Sequence, residues 1–214
     1  MSKVFANIAL SLDGYMAPDG MTVENWGNPG FKNWGEKWGG LMSWIFKQRY
    51  FRENLKLGEG GDTGAINDML RATVERTGVN VMGRRMFDAG EISWPEEAPF
   101  HTPVFVLTHQ KRDPWPRPGG TTFHFVNDGL ASALDQARRA ADGRDIRISG
   151  GADVIQQCLR AGVIDEIEIT HSPVLFGAGR RLFENLGDPL PQFKIDSVLN
   201  EASIVHVRYK HQGR

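Results

Sequence analysis

The sequence predicts an α/β fold with a mainly parallel central sheet. Three observations predict it: strand-like and helix-like segments alternate along the chain, glycine-bearing turns follow apolar strands, and 40% of the 214 residues are hydrophobic. Alternating strands and helices are typical of a parallel sheet covered by helices on both faces. Length and composition are sufficient for one core, so we expect a single domain over residues 1–214.

The first half of the chain predicts strand, helix, strand. Residues 4–12 form an apolar run that is typical of a buried strand. A helix follows, because apolar residues recur at helical spacing. They are Ile66, Met69, Leu70 and Val74. We expect Asp62 or Thr63 to cap this helix and Gly78 to end it, before a short strand at 79–82.

The second half repeats the alternation. Short apolar runs at 104–107 and 122–126 predict strands, and the helix after them has its buried face at regular spacing. The residues of that face are Leu130, Leu134, Ala137 and Ala141. A strand at 146–148 then precedes a helix that ends at Gly162. Its apolar face consists of Val154, Ile155, Cys158 and Leu159.

The C-terminal part predicts antiparallel edge strands. Residues 164–174 alternate isoleucine with glutamate, as a strand does. Residues 193–209 indicate either two strands or one strand bent around Asn200-Glu201.

Three glycine-bearing turns follow predicted strands and carry the strongest functional signal. They are Val81 to Arg85, Ile148 to Asp153 and Pro173 to Arg181. A glycine lets backbone N–H groups approach a ligand, and a helix that starts just beyond adds partial positive charge. Two such turns can hold a diphosphate, so the pattern predicts a dinucleotide site. The ordinary Rossmann fingerprint and the Walker A sequence are both absent.

Charge and cysteine content exclude other classes. A net charge of -1 disfavours electrostatic binding of nucleic acid or of an anionic membrane. The single cysteine, Cys158, lies among apolar residues and is expected to be a core residue rather than a nucleophile. The histidines show no metal-ligand spacing. Because the N-terminus lacks a signal-peptide pattern and no apolar run is long enough to span a bilayer, we expect a cytoplasmic protein.

The order of four motifs resembles that of the dihydrofolate reductase-like superfamily, and in particular the reductase domain of the bifunctional riboflavin-biosynthesis deaminase/reductase. The motifs are Ser11 to Gly14, Met82 to Phe87, Ser149 to Ala152 and Pro173 to Phe183. The resemblance covers nearly the whole chain except residues 19–61. It implies a three-layer fold with antiparallel C-terminal strands, NADPH as cofactor and a homodimer. One cysteine cannot supply the zinc ligands of the deaminase, so we expect a reductase-like domain alone.

The resemblance implies cofactor contacts at matching positions. Ala9 would anchor the nicotinamide carboxamide, and Met16 and Ala17 would cover the ring. The remaining implied cofactor residues are Gly83, Arg84, Arg85, Met86, Leu107, Thr108, His109, Gly150, Gly151, Ala152, Asp153 and Val154. Arg84, Arg85, Thr108 or His109 would select NADPH over NADH through a ribose phosphate. Asp153 would contribute its backbone N–H while its side chain turns outward or caps the helix.

The resemblance assigns the substrate-binding residues less specifically than the cofactor-binding ones. The implied substrate-binding residues are Leu175, Phe176, Gly177 and Gly179. The two glycines are equally well interpreted as parts of a loop or of a subunit contact. Asp13 fits a turn-stabilising role better than proton transfer. The essential carboxylate of folate reductases has only a weak counterpart, Asp68, whose position on the predicted helix also fits a solvent-facing residue.

Residues 19–61 form an insertion rich in tryptophan and glycine, with a short helix expected around 41–50. The insertion fits either a lid over the substrate or an intersubunit surface. Its tryptophans are Trp26, Trp34, Trp38 and Trp44.

The sequence and the resemblance together predict an NADPH-dependent reductase of a small heterocyclic substrate, pterin-like or pyrimidine-like. The alternative is a non-catalytic nucleotide-binding or sensing protein, because no convincing proton donor is evident.

Overall fold

The computed structural model describes residues 2–25, 29–201 and 203–213. Its strands are β1 (Val4–Ser11), β2 (Tyr15–Pro18), β3 (Thr77–Gly83), β4 (Pro103–Leu107), β5 (Trp115–Pro116), β6 (Thr122–Val126), β7 (Asp145–Gly150), β8 (Glu166–Ser172), β9 (Gly179–Arg181), β10 (Phe193–Glu201) and β11 (Ile204–His211). Its helices are α1 (Pro29–Phe46), α2 (Arg49–Asn54), α3 (Ala65–Arg76), α4 (Arg84–Glu91), α5 (Leu130–Ala140) and α6 (Ala152–Arg160). Trp26 lies outside the described residues.

The main sheet has nine strands in the order β10-β11-β8-β1-β7-β3-β4-β6-β5. The six strands from β8 to β6 in this order run parallel to one another. Strands β11, β10 and β5 add antiparallel pairs at the two sides. The expected α/β fold with a mainly parallel sheet and antiparallel C-terminal strands is therefore confirmed. A second, two-stranded sheet of β2 and β9 was not expected from the sequence.

Helices α5 and α6 cover one face of the sheet. Alternation along β1 turns Ala6, Ile8 and Leu10 to this face, where they meet the apolar side of both helices. The predicted apolar faces are buried as expected, including Leu134 on α5 and Cys158 on α6. Burial raises the pKa of the Cys158 thiol to about 12, which fits a core residue.

The opposite face is covered by two separate apolar clusters. One joins Trp44 of α1 and Ile66 of α3 to Ile204 of β11. The other packs Phe87 of α4 against Phe123 of β6 and its neighbours. Between the two clusters lie the central strands β1 and β7. The arrangement is a three-layer one, with helices on both sides of the sheet. Among the described residues, no helix is both long enough and apolar enough to cross a bilayer.

Two expectations about helix α3 were wrong. Its N-cap is Gly64, with a φ of 139°, rather than Asp62 or Thr63. Gly78 does not end the helix; it lies inside β3 and is buried. A methyl group on Gly78 would overlap the carbonyl oxygen of Ala141 and lie 2.8 Å from Cβ of Arg144. The glycine is therefore required by a close approach between β3 and the segment after α5.

Strand β8 is an interior strand rather than an edge. It pairs parallel with β1 and antiparallel with β11, and the outer edge belongs to β10. Glu166 and Glu168 are 3% and 0% exposed. Their burial is possible because basic side chains from several elements pair with them.

The insertion at 19–61 contributes to the core. Helix α1 is longer than the expected short helix, and its Trp34 and Trp44 are 3% and 5% exposed. The hydroxyl of Ser172 donates to the carbonyl of Leu41, 2.8 Å away, and thereby ties α1 to β8. Trp34 and Trp44 are thus enclosed by their own chain and offer little surface to a second subunit.

Substitution of Gly78 by alanine tests the close approach in β3. Because the added methyl group overlaps backbone, we expect G78A to lower the free energy of unfolding by about 1–3 kcal/mol, measured by urea denaturation. The matched control is G39A, since a methyl group on Gly39 of α1 meets no atom within 4 Å. Equal stability of G78A and wild type would contradict this assignment.

Candidate functional site

The glycine turns predicted to bind phosphates meet at one edge of the sheet. Strands β3 and β7 are parallel neighbours that end at Gly83 and Gly150. A Cβ on Gly83 would lie 2.9 Å from Cγ2 of Val154 and 3.8 Å from the backbone nitrogen of Gly151. The β3–α4 junction and the β7–α6 junction can therefore lie this close together because Gly83 has no side chain.

Gly150 has a φ of 129°, a conformation that favours glycine, and the peptide bond between Gly150 and Gly151 is cis. A Cβ on Gly150 would lie 3.2 Å from Sδ of Met86 and 3.9 Å from Cε of Met16. Both methionines are partly exposed. The structure thus brings together Met16, Met86 and the double glycine, as the resemblance implies for a cofactor-binding surface.

Two helices begin at these junctions with open N-termini. The N-cap residues of α4 and α6 are Gly83 and Gly151, and no side chain caps either helix. Ala152 at the start of α6 is buried. Free N–H groups and the partial positive charge of a helix N-terminus are suited to an anion. The backbone here fits a diphosphate group.

Asp153 does not oppose this use of the α6 N-terminus. Its side chain is exposed and accepts a hydrogen bond from Nε2 of Gln157, 2.7 Å away. The carboxylate points along the helix surface and caps no N–H of the first turn. Of the two alternatives for Asp153, the outward orientation is the one found.

The two arginines of α4 differ in their environment. The guanidinium of Arg84 donates to the carboxylate of Asp88 and, over 2.6 Å, to Oε1 of Gln110. Arg85 is exposed at the same helix start. Arg84 is therefore held by the protein, whereas Arg85 is the better placed of the two to meet a phosphate in solvent.

At the end of β4, Leu107 and Thr108 contact the rest of the protein, whereas the next residue, His109, is exposed. Thr108 is 7% exposed; its N–H donates to the carbonyl of Val126 and its hydroxyl accepts from the N–H of Gln110. Leu107 is partly buried and packs against the main core. His109 is exposed next to them. Thr108 thus shapes the loop, and His109 remains accessible.

Ala9 and Ala17 lie on the two strands that flank the first turn. Ala9 of β1 is partly exposed and packs against the cluster of Tyr15, Leu41 and Phe176. Ala17 of β2 pairs with β9. Insertion helix α1 and the loop after β8 therefore both border the end of β1.

The packing of the loop after β8 explains some of the residues found in it. A side chain on Gly179 would overlap the carbonyl oxygen of Ala17, so this glycine is required by the pairing of β2 with β9. Phe176 is buried, whereas Leu175 is 65% exposed. Gly177 has a φ of 73° and room for a side chain. The interpretation of Gly179 as a structural glycine is supported by this packing.

Asp13 connects the turn after β1 to this loop. Its carboxylate accepts the N–H groups of Phe176 and Gly177, the latter over 2.7 Å, and the hydroxyl of Ser11 over 2.6 Å. Desolvation alone would raise the pKa of Asp13, but these hydrogen bonds outweigh it and lower the pKa to about 2. Asp13 is ionised at neutral pH and holds the loop, as its turn-stabilising interpretation predicts.

Asp68 lies exposed on the first turn of α3. Its buried neighbour Asn67 accepts the N–H of Tyr50 over 2.8 Å and thereby attaches α2 to α3. The structure thus places Asp68 on the solvent-facing side of its helix, the position expected of a surface residue.

Sequence reasoning missed a group of polar side chains in the middle of the sheet. Asn7, Asn80, Arg147 and Ser149 lie on the face opposite α5 and α6, between the two apolar clusters. Register places Arg147 beside Phe5 and Asn80 on the neighbouring strands. Polar residues at every second position of otherwise apolar strands were the available signal.

The fold is that of the dihydrofolate reductase-like proteins. A dihydrofolate reductase from Enterococcus faecalis, solved with NADP(H), superposes with a TM-score of 0.53 at 15% identity and covers 98% of this chain and 96% of its own. A protein from Shewanella sp. PV-4, provisionally named a riboflavin biosynthesis protein, gives a TM-score of 0.63 at 24% identity over 99% of both chains.

The family follows from the sequence match. A family model described as the RibD C-terminal domain matches residues 2–207, and the chain belongs to this family. The uncharacterized Bacillus subtilis protein YyaP is 25% identical over 89 residues. That match spans 42% of this chain and 47% of YyaP, so it covers about half the length of this relative. The sequence match thus shows the family, and the fold is one that this chain shares with dihydrofolate reductase.

The low pKa of Asp13 predicts a pH-dependent stability. Since the pKa in the folded state lies below the ordinary 3.8, the contribution of Asp13 is complete above about pH 4 and is lost as the pH falls from 3.8 towards 2. We expect D13N to be less stable than wild type above about pH 4, with the difference shrinking at lower pH. Urea titrations across this range measure it. D113N, in an exposed loop, controls for loss of a carboxylate. A difference independent of pH would contradict the role of Asp13.

Proposed function

We propose that the protein is an NADPH-dependent reductase that transfers hydride to a small heterocyclic substrate, pterin-like or pyrimidine-like. The observation that carries this proposal is the meeting of two uncapped helix N-termini at the close approach of Gly83 and Gly151. Such a junction suits the diphosphate of a dinucleotide. The family match and the NADP(H) complex of the related fold support NADPH as that dinucleotide.

Different residues of the site bind different parts of the cofactor. The backbone N–H groups at the starts of α4 and α6 bind the diphosphate. Met16 and Met86 lie beside Gly150 and flank the ring end, and the backbone of Ala9 anchors the carboxamide. NADPH, when bound, supplies the hydride. Arg85 and His109, both exposed near the start of α4 and the end of β4, meet the ribose phosphate.

The substrate lies over the end of β1, bordered by α1 and by the loop at 174–178. Leu175 is the large exposed apolar residue of this loop and contacts the substrate. Asp13 cannot serve as the acid, because both its low pKa and its hydrogen bonds to the loop keep it ionised. Water that enters beside the partly exposed Ala9 delivers the proton.

The homodimer implied by the resemblance remains a prediction. Edge strand β10 offers the surface for it, with Ile195 and Val198 62% and 57% exposed and Val205 of β11 37% exposed. An exposed edge strand with apolar side chains pairs readily with a second chain. The other partner that we propose is a small-molecule substrate.

NADPH binding and turnover test the proposal directly. Titration of the protein into NADPH, followed by the coenzyme fluorescence, should show saturable binding, and a screen over pterins, flavin precursors and quinones should show oxidation of NADPH. Binding without oxidation of any compound would favour the nucleotide-binding alternative. Absence of binding would overturn the proposal.

Gly151 allows a sharper test of the diphosphate site. A side chain on Gly151 meets no protein atom within 4 Å, and its φ of -76° suits any residue. Serine is also a good N-cap, so we expect G151S to fold as stably as wild type. The hydroxyl would occupy the N–H groups needed for phosphate, and the Kd for NADPH should rise at least about tenfold. G39S on α1 is the control, and unchanged NADPH affinity in G151S would place the diphosphate elsewhere.

Arg85 should determine the preference for NADPH over NADH. Loss of a charge-assisted hydrogen bond to the ribose phosphate should raise the Kd for NADPH about tenfold in R85Q, with a much smaller change for NADH. Calorimetry with each coenzyme measures the two values. R139Q, an exposed arginine in the last turn of α5, is the control. An equal change for both coenzymes would show that Arg85 does not read the phosphate.

A further inference from the structure

The sheet face between the two apolar clusters carries the polar group of Asn7, Asn80, Arg147 and Ser149. Three of its four members are satisfied by the protein. The hydroxyl of Ser149 donates to Oδ1 of Asn80 over 2.8 Å, and Nδ2 of Asn80 donates to Thr102 over 2.9 Å. Nδ2 of Asn7 donates to Glu168 over 2.6 Å. Arg147 is the exception.

A charge network borders this polar group on the side of β8. Ion pairs connect its six members. They are the basic residues Lys3, Arg76 and Arg208 and the acidic residues Asp145, Glu166 and Glu168. Within these ion pairs, three positive charges meet three negative charges.

Among the described residues, no carboxylate lies within ion-pair distance of the Arg147 guanidinium, although Glu168 is close enough to interact with its charge. No hydrogen bond or ion pair joins its side chain to any residue in the described ranges, and its Nε is buried without a partner. Burial lowers the pKa of Arg147, more than the neighbouring Glu168 raises it. A guanidinium nevertheless stays charged at physiological pH. A partly buried cation without an ion-pair partner destabilises the fold. An anionic ligand that pairs with the guanidinium would offset this cost.

The sheet face around Arg147 is in part accessible to solvent. Asn7, Ala9 and Arg147 are partly exposed, whereas Glu168 and Asn80 beside them are buried. Arg147 pairs with Phe5, four residues before Ala9 on β1. At about 3.3 Å per residue, roughly 13 Å separate the two rows, and an arginine side chain extended along β7 toward Gly150 would span part of that distance. A ring at Ala9 with a short acidic substituent fits this distance.

We infer that Arg147 binds a carboxylate of the substrate, so that the reductase acts on heterocycles that carry one. This inference rests on the proposed function, because Ala9 is taken as the hydride-transfer end. A carboxylate has one negative charge and matches the surplus of one positive charge. A phosphate dianion would leave a negative charge on the sheet. The planar guanidinium also pairs with a carboxylate through two parallel hydrogen bonds.

Matched ligands test the inference without turnover. Saturation-transfer NMR measures binding of pterin against pterin-6-carboxylate and of uracil against uracil-6-carboxylate, with uridine 5′-phosphate as the phosphate probe. We expect each carboxylate to bind wild type at least tenfold more tightly than its parent ring, and R147Q to abolish the difference while binding the parent rings as before. R147K should restore only part of it, because an ammonium group lacks the bidentate geometry.

Stability separates a ligand-binding arginine from a structural one. R147Q removes a cation without partners and should leave the Tm unchanged or raised. R208Q, on the same sheet face, removes a partner of the buried Glu168 and should lower the Tm by several degrees. A fall in Tm for R147Q comparable with that for R208Q would assign Arg147 to the charge network and overturn the inference.

Three further results would also overturn it: no preference for the carboxylates in wild type, a preference that persists in R147Q, or tighter binding of the phosphate probe than of uracil-6-carboxylate. The NADPH titration is independent of these measurements. If NADPH binds and the carboxylate preference is missing, this inference alone fails. If an Arg147-dependent preference is present and NADPH does not bind, the proposed function fails and the anion site stands.

Discussion

The close approach of the β3 and β7 ends is the constraint on which the candidate site depends. Gly83 must lack a side chain because Cγ2 of Val154 would lie only 2.9 Å from a Cβ at this position, with the backbone of Gly151 directly beyond. That contact aligns the first turns of α4 and α6 beside each other, with no side chain capping either. Packing and function are thus coupled at this point: the glycines that allow the sheet and helices to pack also leave the N–H groups open for an anion.

Charge is distributed unevenly over the two sheet faces. The face under α5 and α6 is apolar, whereas the opposite face has polar and charged residues between two apolar clusters. Buried carboxylates on β8 are tolerated because cations from β11, α3 and the N-terminus reach them. The partly exposed Arg147 is the charged residue of this face for which we propose a ligand.

The elements that surround the substrate region are fastened to the scaffold by few, well-defined contacts. Asp13 holds the loop after β8, and the pairing of β2 with β9 holds its far end. Helix α1 is attached to β8 through Ser172 and by burial of its tryptophans. The described part of the insertion therefore borders the site region and packs into the core of the chain.

The sequence by itself determined the alternation of strands and helices, the apolar faces of α5 and α6, and strand structure at the C-terminus, because these depend on periodicity and local turn chemistry. It left open whether the C-terminal stretch is two strands or one bent strand, and the structure has two. The sequence also located the glycine turns, because a glycine directly after a buried strand indicates a turn through its own backbone freedom, without reference to distant residues. Only the tertiary structure decided that β8 is interior, that Gly78 serves a strand contact, and that Arg147 has no ion pair within the part of the chain that the structure describes. Each of these three features depends on contacts between residues that are distant in sequence, such as Arg208 with Glu168 and Ala141 with Gly78. A local sequence pattern does not predict such contacts.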